Sequence, residues 1–377
     1  MEKKERKQKR GRIKASLPYI LMILLGGCIG VFAGKYGDKL HISGQSLLVF
    51  LAVLIIAMYL QVIIHEAGHL VMGLCSGYKF ISFRIESFMW VKIDGKVRLK
   101  RYSLMGTGGQ CLLEPPEMKD GYFPVKLYNA GGVLFNLLTA GIFGILAVMT
   151  QFIPIVSFAS AIIALTGMLY AILNGIPMRI GAIDNDGYNM IHMGKNADAL
   201  KNFWLQLQMN AQTTKGVRIK DMPEEWFVIP SKEEMQNPLG ASNAVFACNR
   251  AIDQKDFQKA RELCKMLLEE ESGILPLHKY IIISEHIFCE LIGENRSEEI
   301  EKWRTKEFAK YEKSMKNYPS LIRMQYAYEL FHNQDEQMAG KKLELFEKVK
   351  KTYPYEADIQ GEWELIQYVK EQYEKMK

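Results

Sequence analysis

The sequence predicts a mostly α-helical protein in two parts. The first is a polytopic membrane core of about four helical spans with a small β-hairpin insertion, and the second is an α-helical soluble domain. Three observations lead there. The chain averages 49% hydrophobic residues, yet its long apolar stretches all fall in the first half. Four of them, 17–34, 47–74, 127–149 and 154–176, are about as long as a bilayer core requires. From Ala241 onward, short amphipathic stretches alternate with turn residues, which is the pattern of packed helices in water.

Residues 1–16 are strongly basic, with eight Lys or Arg in the first fourteen positions. A cleaved signal peptide is the competing reading. The following apolar stretch is longer than a signal core and carries no small-x-small cleavage site, so an uncleaved span is expected. The loop at 35–45 has two Lys and the turn near Thr150-Gln151 and Pro154 has none, whereas 76–126 holds nine Lys or Arg. By the positive-inside rule, the chain is expected as a multi-pass protein of the cell membrane with both termini and the 76–126 loop in the cytoplasm. Within that loop, Phe88 to Ile93, Asp94-Gly95 and Lys96 to Arg101 read as a hairpin closed by a two-residue turn. Residues 191–240 are expected to hold an interfacial amphipathic helix at 196–212 and then a linker marked by Pro223, Pro230 and Pro238. The domains are therefore 1–16, a membrane-embedded core at 17–190, the helix and linker at 191–240, and a helical domain at 241–377. Its stretch from Ala244 to Leu263 resembles a tetratricopeptide helix pair, although the 34-residue period does not recur cleanly.

Chemistry enters at His65-Glu66-Ala67-Gly68-His69, at the end of the second span. Residues 47–64 carry one strongly polar side chain, Gln61, so two histidines and a glutamate at that depth are costly to keep unless they act. Histidines at i and i+4 share one helix face and can hold one metal ion; Glu66 lies beside them, placed to take a proton from an attacking water. Catalytic zinc takes three protein ligands and leaves a position open, so a third ligand is needed. Glu86, Asp94, Glu114, Glu117, Asp120, Asp184, Asp186 and His192 are the candidates near the same membrane face. Asp94 is committed to the hairpin turn, and Glu114, Glu117 and Asp120 fall in a proline-rich loop. Asp184 and Asp186 follow directly on the fourth span; spacing does not choose between them.

The combination resembles the site-2 protease family of intramembrane zinc metalloproteases. His65-Glu66-Ala67-Gly68-His69 matches that family's H-E-x-G-H, and Ala130-Gly131-Gly132 with Asn136 is similar to its small-residue and Asn motif. Asn174-x-x-Pro177 followed by Asp186-Gly187 resembles its N-x-x-P…D-G element. The likeness covers about residues 46–190. It implies a zinc endopeptidase cleaving transmembrane or membrane-tethered peptides, with His65, His69 and Asp186 as ligands and Glu66 as general base. It also implies that Asn136 and Asn174 bind substrate, and that Gly108, Gly109 and the hairpin form a membrane-associated β element that presents it. Two departures stand out: the interval from Asn174 to Asp186 is long, which keeps Asp184 in play, and Gly132 replaces a common Pro.

The remaining composition narrows the alternatives. Six cysteines without C-x-x-C spacing supply neither a disulfide framework nor a thiolate zinc knuckle. The net charge of +6 is concentrated near the membrane, where it suits anionic lipid headgroups, and no nucleic-acid partner is expected. Two other functions fit the residues less well. One is a catalytically silent membrane scaffold whose helical tail docks a cytosolic protein. The other is a zinc hydrolase of a lipid-like substrate. Most tail aromatics (Trp303, Tyr311, Tyr326, Tyr328, Phe331) are expected in the core rather than in a docking face.

Overall fold

The computed structural model describes residues 26–27, 30–31, 44–102, 108–180, 183–193, 197–269 and 272–377. The protein is mostly helical with a small four-stranded antiparallel sheet. Among the described residues, three helices are long and apolar enough to cross a membrane: α1 (Gly44–Cys75), α2 (Lys126–Met149) and α3 (Pro154–Gly175). The span expected at 17–34 lies almost wholly outside the described residues. The three helices leave Leu48, Ile55, Leu138, Ile145 and Val148 exposed, large apolar side chains that suit a lipid surrounding. The chain divides into two compact units, residues 1–86 with 104–200 and residues 87–103 with 201–377.

In the first unit α1 ends where Gly77 adopts φ +85° and the Tyr78 amide bonds back to the Gly73 carbonyl, a left-handed helix stop. This unit holds β1 (Lys79–Ile85) and β4 (Gly109–Glu114); β2 (Phe88–Ile93) and β3 (Lys96–Arg101) fall in the second unit. β1 pairs antiparallel with β4, from Lys79 opposite Glu114 to Ile85 opposite Gly109, with an irregularity between Phe80 and Ser82. Among the described strands β4 pairs with β1 alone and is therefore an edge strand.

α1 and α2 meet at glycine. A Cβ on Gly68 would stand 2.2 Å from the Gly131 carbonyl oxygen, and one on Gly131 would stand 2.3 Å from the Gly68 oxygen. Small residues let the two backbones approach this closely, and van der Waals contact then holds them. Gly68→Ala forces backbone against backbone, so it is expected to lower the melting midpoint of the purified protein, at a cost of about 1–3 kcal/mol or more. Gly141→Ala in the same bundle meets nothing within 4 Å and serves as the control. Equal midpoints for the two variants would contradict this packing.

In the second unit β2 and β3 pair from Phe88 opposite Arg101 to Ile93 opposite Lys96, and Asp94 (φ +50°) with Gly95 (φ +76°) makes the two-residue turn. The rest of this unit is a helical stack running from Lys201 to Lys377, with a core that includes Leu267, Ile282, Phe288, Phe308 and Phe346. Its helix boundaries fall at the turn residues: Lys255, Asn295 and Gln334 take positive φ, and Pro276 and Pro319 open helices. Tyr311, Tyr326 and Phe331 are buried, and Trp303 and Tyr328 pack partly against the same core.

The segment set apart at 191–240 differs from expectation. The helix there spans Ala197–Thr214, and the linker folds into two 3-10 turns, Ile219–Asp221 and Glu224–Phe227, and a short helix, Lys232–Met235. Leu205, Met209, Met222, Phe227 and Met235 belong to the tail core, and Trp204 meets Trp226 edge to face. Pro223 precedes the second 3-10 turn and Pro238 opens the next helix, Pro238–Asp253, and the apolar residues between them pack into the tail core. Arg218 adds an ion pair with Asp253 and another with Glu364.

Asp358 gives the tail a pH dependence. Burial, with the Glu362 and Asp253 carboxylates adding to it, pushes its carboxyl up to about 7. An unfolded Asp titrates near ~4, so from about pH 4 to about pH 7 the folded state keeps a proton the unfolded chain has lost. Stability contributed by Asp358 is full below that window and is lost as pH rises through it. The tail's unfolding midpoint is expected to fall between about pH 5 and about pH 8, and Asp358→Asn to flatten the change. A midpoint whose pH slope is the same in both proteins would contradict it.

Candidate metal centre

α1 supplies His65, Glu66 and His69. Both imidazoles are buried, 9% and 8% exposed, and their Nε2 atoms lie 3.1 Å apart. Each ring is fixed through its other nitrogen. His65 Nδ1 lies 2.7 Å from Asn136 Oδ1 on α2, and His69 Nδ1 lies 2.8 Å from the Tyr128 carbonyl oxygen. A carbonyl can only accept, so His69 carries its proton on Nδ1 and presents the Nε2 lone pair. Gly132 makes this geometry possible: a Cβ there would stand 2.4 Å from the His65 ring.

The third donor arrives from the end of α3. The chain leaves α3, forms a two-stranded pair between Arg179–Ile180 and Ile183–Asp184, and enters α4 (Asp186–His192). Asn185 pins this turn. Its Oδ1 accepts from the Tyr188 and Met178 amides at 3.0 Å, and its Nδ2 donates to the Leu173 and Ile176 carbonyls at 2.7 Å. Gly187 then packs on the end of α3, where a Cβ would meet the Gly175 oxygen at 2.2 Å. The glycine serves close approach, not a positive-φ turn.

Asp186 Oδ2 lies 3.0 Å from His65 Nε2 and 3.3 Å from His69 Nε2. It is buried and has no well-aligned hydrogen-bond donor. His65, His69 and Asp186 form the one group of three potential metal-ligating side chains found among the described residues. Asp184 lies on the strand pair opposite Arg179 and is not in that group. Two imidazole nitrogens and one carboxylate oxygen facing a common point suit a divalent cation with a borderline-soft preference, and zinc fits that donor set.

Glu66 sits where β4 meets α1. Its carboxylate takes a backbone hydrogen bond from Cys111, and a Cβ on Gly109 would stand 2.9 Å from its Oε1. The edge strand thus runs past Glu66, and only glycine fits at its start. Gly108 joins that strand to β1 through its carbonyl, which accepts from the Glu86 amide at 2.8 Å. Asn136 is fully buried, with Oδ1 on His65 and Nδ2 on Gln61. Its amide bonds are made inside the bundle, to His65 on one side and Gln61 on the other. Asn174 is partly buried and donates to the Tyr170 carbonyl at 3.0 Å. Two positions the sequence left unassigned therefore matter here. Asn185 was signalled only by being a capping residue before Asp186-Gly187, and Gln61 only by its polarity in an apolar run. Comparison of the chain with family models, with characterised proteins and with solved structures returned no match.

Proposed function

We propose that this protein is an intramembrane zinc metalloendopeptidase of the site-2 protease type, multi-pass, with both termini in the cytoplasm. The observation that carries this is the convergence of His65 Nε2, His69 Nε2 and Asp186 Oδ2 on one point, next in the chain to a carboxylate outside that group, Glu66. Three ligands leave a fourth position for water or substrate, which is the arrangement of catalytic rather than structural zinc. Zinc bound there would polarise a scissile carbonyl and acidify a water. Glu66 takes the water's proton on its carboxylate and returns it to the leaving amine. His65 and His69 are kept in the required tautomer by Asn136 and the Tyr128 carbonyl.

The edge strand favours a peptide as substrate. A transmembrane helix buries its amides in its own hydrogen bonds and must unwind before attack. β4 is an outer strand that begins at Gly109 against Glu66; its Cys111 is already engaged, donating to Glu66 and accepting from Tyr128 Oη at 3.1 Å, so an extended segment would pair at the Gly109 end. A lipid would use no such pairing.

The test compares membrane peptides and lipids from the native host carrying wild type with those from a host carrying Glu66→Gln. Membrane-anchored precursors are expected to accumulate uncleaved in the variant, with lipids unchanged. Accumulation of an intact lipid instead would replace the peptide substrate. Identical peptides and lipids with zinc still bound would leave a membrane scaffold.

A further inference from the structure

We infer that Gln61 is a positioning residue for the metal centre, acting through Asn136 to fix the proton on His65. This rests on the proposed zinc centre.

Gln61 is fully buried one helical turn before His65, on the same face of α1. Its Nε2 donates to the Ile163 carbonyl on α3 at 3.1 Å, so its Oε1 is the end turned toward α2. Asn136 Nδ2 donates to that Oε1 at 2.7 Å and to the Gln61 backbone carbonyl at 3.1 Å. With two acceptors on one side, the Asn136 amide has a single sensible orientation: Nδ2 toward Gln61 and Oδ1 toward His65. Oδ1 can only accept, so His65 must donate from Nδ1, and its Nε2 lone pair is left for the metal.

Each link fixes the next, from Ile163 through Gln61 and Asn136 to His65. Gly167 makes room for the start of the relay, since a Cβ there would stand 3.0 Å from Gln61 Nε2. Without Gln61, the Asn136 amide could rotate and offer Nδ2 to His65. That would favour the tautomer with its proton on Nε2, which cannot bind a metal through that atom. Because the relay draws on α1, α2 and α3, it also ties the ligand to the packing of all three helices.

Plain interhelical glue would use the same bonds, so the experiment separates the two roles. Zinc affinity is measured by chelator competition on the full-length protein in nanodiscs, for wild type, Gln61→Met, Gln61→Glu, Asn136→Leu and the Gln61→Met/Asn136→Leu double variant. Helix content and melting midpoint are recorded for each. Gln61→Met keeps the length and packing of the side chain and is expected to weaken zinc binding about 10–100-fold. Gln61→Glu, neutral at that depth, again offers one acceptor and one donor and is expected to stay within about threefold of wild type. In the Asn136→Leu background, Gln61→Met is expected to add less than about threefold, because its effect passes through Asn136. Wild-type affinity in Gln61→Met would overturn the inference, as would its full loss recurring without Asn136. A loss in Gln61→Glu equal to that in Gln61→Met, with the fold intact, would overturn it too. Wild type that binds no zinc would remove the proposed metal centre, and this inference with it.

Discussion

Glu66→Gln is expected to lower the turnover of a transmembrane peptide by the purified protein about 10²–10⁴-fold while leaving its zinc content unchanged. The substitution keeps the side chain's size and its acceptor for the Cys111 backbone amide, and it removes only the ability to take a proton. Glu66 is not one of the three converging side chains, so its loss has no direct reason to empty the site. Activity and metal content should therefore separate. Rate assays on reconstituted protein and elemental analysis of the same sample check both halves. Zinc loss in Glu66→Gln would make Glu66 a ligand and would undo its assignment as base.

Asp186→Ala is expected to weaken zinc binding by more than the roughly 100-fold that follows loss of an outer hydrogen-bond partner. It removes one of only three donor atoms and leaves two neutral imidazoles. Asp184→Ala is expected to bind zinc as wild type does, since Asp184 sits on the strand pair opposite Arg179. Chelator competition on both variants decides it, and a stronger loss in Asp184→Ala would overturn the ligand assignment. Asn185 connects this to the fold. Its four hydrogen bonds tie α4 to the end of α3, so the position of the Asp186 carboxylate depends on that turn holding.

How much was legible depended on the range of the interactions involved. His65, Glu66 and His69 could be read because a helix fixes i and i+4 on one face within a single segment. The hairpin could be read because Asp94-Gly95 satisfies a local backbone requirement. The choice between Asp184 and Asp186 could not be made from spacing, because it rests on Asn185 bonding across the chain to Leu173 and Ile176. The place of Asn136 was equally hidden. Its motif marked it, but its bond to His65 depends on how α2 is rotated against α1. Gln61 was visible only as a polar residue in an apolar run, and its role needed all three helices. After the helix at 196–212, Pro223, Pro230 and Pro238 suggested a linker. Burial of Met222, Phe227 and Met235 comes from tertiary contacts that no local pattern carries.

The most direct measurement is zinc K-edge X-ray absorption on the full-length protein, purified without added chelator. One zinc per chain is expected, with two imidazole nitrogens at about 2.0–2.1 Å, a carboxylate oxygen at about 2.0–2.2 Å and one further light atom. The imidazole signal should diminish in His65→Ala and the metal should be lost in Asp186→Ala. Absence of zinc after supplementation, or sulfur scattering near about 2.3 Å, would contradict a centre built from His65, His69 and Asp186.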